Sequence, residues 1–173
     1  MNPEELAGRL CAYAGEVALC RVLADPIGEL VALREETRAY PPALADALAG
    51  GGWEAGFLLD GAAKAVAAGD SGAAKAVAAG DSGAAKAVAA GDSAYVAGCL
   101  FRVVGVLVQV LHARAGHWLV NEKGMVAAAG RLPGAPPDFA FRAQALLGSV
   151  GRSPAELTAT LGAARRLCVE VLG

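Results

Sequence analysis

The chain has 173 residues, of which 55% are hydrophobic and 18% charged, and its formal net charge is -2 at pH 7. This length is enough for one domain with a core of its own, so the fold does not require a disulfide framework. The slightly acidic balance lacks the excess of lysine and arginine that marks nucleic-acid-binding surfaces, so nucleic acid is not an expected partner.

The first sixty residues predict short helices separated by turns. Asn2-Pro3-Glu4-Glu5 combines a capping residue, a first-turn proline and acids at the positive end of the helix dipole, so we predict a helix from there to about Leu23. Asp25-Pro26-Ile27-Gly28 is typical of a turn. The predicted apolar face of the first helix consists of Leu6, Leu10, Tyr13, Val17 and Cys20.

Three further helices are predicted before residue 60, at Glu29–Arg38, Ala43–Leu48 and Trp53–Leu59. Tyr40-Pro41-Pro42 separates the first two, and three glycines at 50–52 separate the last two. Trp53 and Phe57 are four residues apart, so their rings should pack together on one helix face.

An exact internal repeat follows, in which GAAKAVAAGDS occurs three times between Gly61 and Ser93. Identical copies indicate a recent duplication or an engineered insertion. Alanine favours helix, whereas each Gly-Asp-Ser-Gly junction favours a helix end followed by a new cap. One continuous helix and a broken helix both remain open, and we expect at least one break, at Gly91-Asp92.

The longest apolar segment, about residues 94–115, predicts a helix that is buried at the centre of a bundle. One strip of it is small and polar, and steps of three or four residues place its members on one face. The two glycines in this strip suggest close approach by a ligand or by another helix, and both alternatives stay open. The strip contains Tyr95, Gly98, Arg102, Gly105, Gln109 and His112.

A polar cluster, His117-Trp118-Leu119-Val120-Asn121-Glu122-Lys123-Gly124, comes directly after this helix. Lys123 can act as a point charge for phosphate oxygens, and Asn121 can hold a polar ligand group beside Trp118. The alternative is a solvated helix end with a surface pair between Glu122 and Lys123.

The carboxyl-terminal part completes the predicted bundle with helices at Met125–Leu132 and Phe139–Leu147 and a last helix that ends at about Leu172. Ser153-Pro154-Ala155-Glu156 is a strong signal for the start of that last helix, since a serine cap precedes proline and is followed three residues later by glutamate. We therefore predict an all-α helical bundle, 1–173, as a single helical domain, with the repeats of 61–93 inserted in it.

The four cysteines, Cys11, Cys20, Cys99 and Cys168, lack metal-ligand spacing and are interpreted as small core residues in a reducing compartment. The first ten residues contain no apolar run of signal-peptide length, and Arg102 interrupts the one segment long enough to cross a membrane. A cytoplasmic protein without a membrane span is expected.

Four segments carry a family resemblance: Ala90-Gly91-Asp92, the run from Ala94 to Arg102, the run from Val106 to Ala113, and Trp118-Leu-Val-Asn-Glu-Lys-Gly124. In this order they resemble the helical C-terminal region of bacterial nucleotidyltransferase-domain proteins, similar to the kanamycin nucleotidyltransferase group. The resemblance covers roughly Leu10 to the carboxyl terminus, with one repeat copy expected where this chain has three.

The resemblance implies a two-domain enzyme whose other, α/β domain holds metal and nucleotide. Asn121 and Lys123 would contact phosphate or substrate, with Trp118, Arg102 and Tyr95 as further candidate residues. The catalytic half of that family shows Gly-Ser followed by Asp-x-Asp, because nucleotidyl transfer needs carboxylates to hold divalent metal. No Asp-x-Asp occurs here, so no catalytic or metal-ligating residue is assigned.

Two functions are therefore predicted. The first is a helical substrate- or nucleotide-binding domain of a nucleotidyltransferase-like protein, which is not catalytically complete alone. No cofactor is expected on this chain by itself, and magnesium ATP is expected together with a catalytic partner domain or subunit. The alternative is a structural or protein-interaction helical bundle with an expanded or engineered repeat and no retained ligand. A homo-oligomer is compatible with either.

Overall fold

The computed structural model describes residues 13–59 and 93–173, which form helices and loops without any β-strand. The predicted all-α class is confirmed. We label the described helices in chain order as α1 (13–19), α2 (Glu29–Thr37), α3 (Pro42–Gly50), α4 (53–59), α5 (Ser93–Arg114), α6 (Met125–Ala129), α7 (Phe139–Gly148) and α8 (Pro154–Leu172).

Helix α5 is the centre of the bundle, as its apolar sequence predicted. It spans 22 residues and contacts α3, α6, α7 and α8. Leu100, Leu107 and Leu111 are among its fully buried side chains, and burial of each such leucine contributes about 1.5–3 kcal/mol. The whole fold is therefore arranged around this one helix.

The start of α8 follows the predicted capping pattern in full. The Ser153 hydroxyl accepts a hydrogen bond from the Glu156 backbone N–H at 3.3 Å, and the Glu156 carboxylate accepts one from the Ser153 N–H at 2.9 Å. The Ser153 N–H, the Arg152 N–H and the Ser153 hydroxyl all donate to this carboxylate, and they lower the pKa of Glu156 to about 2. Gly151 precedes this turn at φ +90°, a conformation that glycine adopts readily.

Helix α1 departs from the prediction at its end and on its packed face. It ends at residue 19 rather than near Leu23, and the predicted turn at Asp25–Gly28 forms with Gly28 at φ +78°. Tyr13 was expected on the buried face but is 69% exposed. Gly15 is buried instead, because the side chain of Trp118 packs directly over it.

The cysteines agree with the prediction only in part. Cys99 and Cys168 lie in the core, and burial raises the pKa of the Cys168 thiol to about 11. Cys20 is half-buried on the surface. Leu6, Leu10, Cys11 and the repeats up to Asp92, with the predicted break at Gly91-Asp92, lie outside the described residues.

Candidate functional site

The predicted polar cluster lies in the loop that follows α5. Gly116 adopts φ +64°, its N–H donates to the Ala113 carbonyl at 3.0 Å, and the His117 N–H donates to the His112 carbonyl at 2.9 Å. This pair of bonds is the Schellman pattern, which closes a helix and reverses the chain. The sequence signal was Gly116 after the last apolar turn, and it was missed.

Trp118, just beyond this reversal, is an anchor for the amino-terminal part of the fold. Its ring packs against Tyr40 with centroids 4.6 Å apart and planes tilted by 53°. A Cβ at Gly15 would lie 3.3 Å from the Trp118 Cβ, so α1 reaches the loop only because glycine stands there. The indole Nε1 is buried and makes no hydrogen bond within the described residues. Its ring therefore serves packing in this structure.

Asn121 and Lys123 lie close together, and both are exposed. The Asn121 Oδ1 accepts a hydrogen bond from the Lys123 backbone N–H at 2.9 Å, an Asx turn that commits this oxygen to the loop. No ion pair or hydrogen bond of the Lys123 ammonium, to Glu122 or to another group, is found in the described part of the chain. The ammonium is thus open to solvent and to an incoming anion.

Arg102 pairs with a residue of another helix. Its guanidinium forms an ion pair with the Glu54 carboxylate of α4. It lies about 18 Å along the α5 axis from Arg114, at a rise of about 1.5 Å for each residue. Tyr95 is about two helical turns further away, and its side chain is outside the described set. The structure therefore places Asn121, Lys123 and Trp118 in one loop, whereas the guanidinium of Arg102 is paired with Glu54 of α4.

The glycines of the polar strip do not mark a close approach within the described residues. A Cβ added at Gly98 or at Gly105 would meet no described atom within 4 Å. Gly98, Arg102 and Gln109 are exposed, so this strip is a surface of the bundle between residues 98 and 109. The expectation of a neighbour packed against these glycines is wrong for the described part.

The strip ends at His112, which is buried with only 6% of its surface exposed. Neither ring nitrogen of His112 has a hydrogen-bond partner among the described residues. Burial lowers the pKa of His112, and the nearby His117 lowers it further. The ring is therefore held neutral in the core beneath the polar loop.

A second candidate site is the apolar arm surface, which we define as the side chains of Leu19, Leu23, Ile27, Leu30, Val31 and Leu33. Their exposed fractions range from 39% to 86%, and α2 buries none of its residues. The Asp25 carboxylate accepts a hydrogen bond from the Val31 N–H at 2.8 Å, which fixes the turn before α2. These six aliphatic side chains are thus exposed on a segment whose turn is fixed by a side-chain hydrogen bond. Sequence reasoning predicted α2 as a helix but assigned no role to its exposed apolar side chains.

Comparisons with protein-family models, with curated proteins and with solved structures find no match to this chain. The resemblance to nucleotidyltransferase-domain proteins therefore stays a prediction. Among the described residues, one helical segment, Val96–Arg114, is long and apolar enough to cross a membrane, and 61% of it is buried inside the bundle. No cluster of three His, Cys, Asp or Glu side chains able to hold a metal ion occurs in the two described ranges.

Proposed function

We propose that this chain is a protein-interaction helical bundle that associates with a second copy of itself through the apolar arm surface. The observation that carries the proposal is the exposure of six large aliphatic side chains within fifteen residues of the chain, between Leu19 and Leu33. Soluble monomers rarely expose apolar patches of this kind, and such patches commonly mark interfaces.

The core explains why this surface is left for a partner. Every member of the buried core cluster in the described residues lies at Ala55 or beyond. Helix α2 is therefore not needed to complete that core. Removal of its exposed leucines and valine from water by a partner would contribute roughly 25 cal/mol for each Å² of apolar surface buried.

The charges of α2 favour a second copy as the partner. Glu29 opens the helix, and Arg38 caps its end. In an antiparallel pair of α2 helices, Glu29 of one copy faces Arg38 of the other, and the two helix dipoles also oppose one another. The net charge of -2 on the chain is too small to keep two copies apart.

A membrane surface fits the arm less well. Amphipathic helices that lie on membranes carry lysine and arginine on their polar face. Between residues 19 and 38 four acidic side chains outnumber three basic ones; they are Asp25, Glu29, Glu35 and Glu36 against Arg21, Arg34 and Arg38. This excess would be repelled by anionic lipid, so a protein partner is favoured.

Sedimentation equilibrium of matched variants tests the proposal. Ile27 and Phe141 are each 76% exposed, but only Ile27 lies in the apolar arm surface. We expect the parent and Phe141→Asp to dimerise with rising concentration and Ile27→Asp to remain monomeric, with the melting temperature of the parent in dilute solution, where the parent is monomeric too. A parent that stays monomeric, or equal dimerisation of all three proteins, would overturn the proposal.

The alternative function is the helical nucleotide- or substrate-binding domain of a nucleotidyltransferase-like protein, which acts with a catalytic domain or subunit. It is supported by the resemblance and by the exposed ammonium of Lys123 beside the Asn121 turn. Saturable binding of magnesium ATP that raises the melting temperature would favour this alternative.

A further inference from the structure

A cleft of about 360 Å³ lies between α7 and α8, on a part of the bundle distinct from the apolar arm surface. This volume is at the lower end of the range of small-molecule sites. The apolar side chains that line it include Phe141, Leu146, Ala159, Ala163 and Leu167. Phe141 is 76% exposed, so an occupant would cover one of the most exposed aromatic rings among the described residues.

Among the described residues, the charged groups that line the cleft are two arginines, without a carboxylate beside them in the lining. Arg142 is committed to Glu170 by two hydrogen bonds of 2.6 Å each, from Nη1 and Nη2. These bonds lower the pKa of Glu170, so this pair stays charged and closed at neutral pH.

Arg166 is different. No hydrogen bond or ion pair of its guanidinium is found within the described residues, although Glu170 is near enough to interact with it electrostatically. Its Nη1 lies 3.7 Å from the position that a Cβ would take at Gly162. The guanidinium thus lies along α8 at the cleft, with donors available to a ligand.

The hydroxyl of Thr160, another residue of the cleft lining, is already used by the fold. It lies 3.0 Å from the Val150 carbonyl, 3.0 Å from the Glu156 carbonyl and 3.3 Å from that of Ser149. With Arg142 and Thr160 engaged, Arg166 is the charged group left for polar recognition in a mostly apolar cleft, which also has the exposed Ser149 in its lining.

We propose that this cleft binds a small monocarboxylic acid with a compact aromatic or branched aliphatic body. The body packs against Phe141, Ala159 and Ala163, and the carboxylate accepts paired hydrogen bonds from the Arg166 guanidinium. A planar guanidinium matches a carboxylate in this geometry. Because Glu170 already neutralises Arg142, a ligand with one negative charge neutralises the remaining positive charge of the site.

Calorimetric titration with naphthylacetate and with its neutral analogue naphthylethanol tests the proposal. We expect the parent to bind naphthylacetate saturably and naphthylethanol about tenfold to hundredfold more weakly, as a hydrogen bond to a charged group implies. Arg166→Met should weaken naphthylacetate binding by a similar factor and leave naphthylethanol unchanged. Arg165→Met, at the adjacent position outside the cleft lining, is the matched control and should behave as the parent.

A second variant tests whether the two compounds bind in this cleft. Ala159 is exposed at the cleft, so Ala159→Leu should fill the cleft without disturbing the core and should abolish binding of both compounds. Absence of saturable binding to the parent would overturn the proposal. Equal affinity of parent and Arg166→Met for naphthylacetate would equally overturn it.

Discussion

His112 combines burial with unmet hydrogen bonds at the end of the central helix. Its ring is 6% exposed, and in the part of the chain that the structure describes neither nitrogen has a hydrogen-bond partner. An unsatisfied buried polar group costs about 1–3 kcal/mol. The cost rises when the ring must also carry a proton, which is why burial lowers its pKa.

This residue makes stability depend on pH. Because the folded state holds the pKa of His112 below its unfolded value of about 6.5, the unfolded chain binds the proton more readily. The free energy of unfolding should therefore fall as pH drops below about 6.5. His112→Leu should reduce this fall and, by removing the unmet polar atoms, should match or exceed the parent in stability.

Urea unfolding above and below this pH measures the effect. His117→Gln is the control and should keep most of the dependence, since burial rather than His117 is the main cause of the lowered pKa. If parent and His112→Leu lose stability equally on acidification, His112 is not the titrating group.

Lys123 separates the two candidate functions at the level of one side chain. If the nucleotidyltransferase-like alternative holds, Lys123→Ala should weaken binding of magnesium ATP about tenfold, as loss of one charge-assisted contact implies. The melting temperature should stay nearly unchanged, because an exposed charge contributes about 0–1 kcal/mol to stability. Lys123→Arg, the charge-conserving control, should retain binding. Equal affinity of the alanine variant and the parent for magnesium ATP would show that Lys123 is a solvated surface residue without a role in nucleotide binding.

The helices were predictable from the sequence where the signals are local. The capping box at Ser153 and Glu156 depends on residues three apart, and the apolar face of α5 depends on a period within one segment. The important glycines were not predictable in this way. Gly15 is covered by Trp118, about a hundred residues later in the chain, so only the tertiary fold reveals its role.

Glycine substitutions test this distinction. Gly105→Ala should stabilise the protein by about 0.5–1 kcal/mol, since α5 gains helix propensity and no described atom lies within 4 Å of the new methyl group. Gly151→Ala should destabilise it by more than about 1 kcal/mol, because φ is +90° and the new Cβ would lie 2.5 Å from the Glu156 Cβ. Thermal unfolding of both variants, compared with that of the parent, measures these two changes in stability. A destabilised Gly105→Ala would show that α5 has a close neighbour after all.

At the scale of the whole molecule, the candidate site divides where the sequence suggested one cluster. Asn121 and Lys123 are neighbours in sequence, so their shared loop was predictable. Arg102 was a further candidate for the same site, but its guanidinium is held by an ion pair to Glu54 of α4. The apolar arm surface was missed because an amphipathic pattern does not tell whether its apolar face meets the core or a second chain.

Backbone hydrogen–deuterium exchange of the full chain at low and high protein concentration tests the proposed interface most directly. The amides of α2, which buries no residue in one copy, should exchange quickly in dilute protein and become protected as concentration rises. Those of the buried helix α5 should be slow at both concentrations, and in Ile27→Asp the exchange of α2 should not change with concentration. Exchange in α2 that is the same in dilute and concentrated parent protein would contradict self-association through the apolar arm surface.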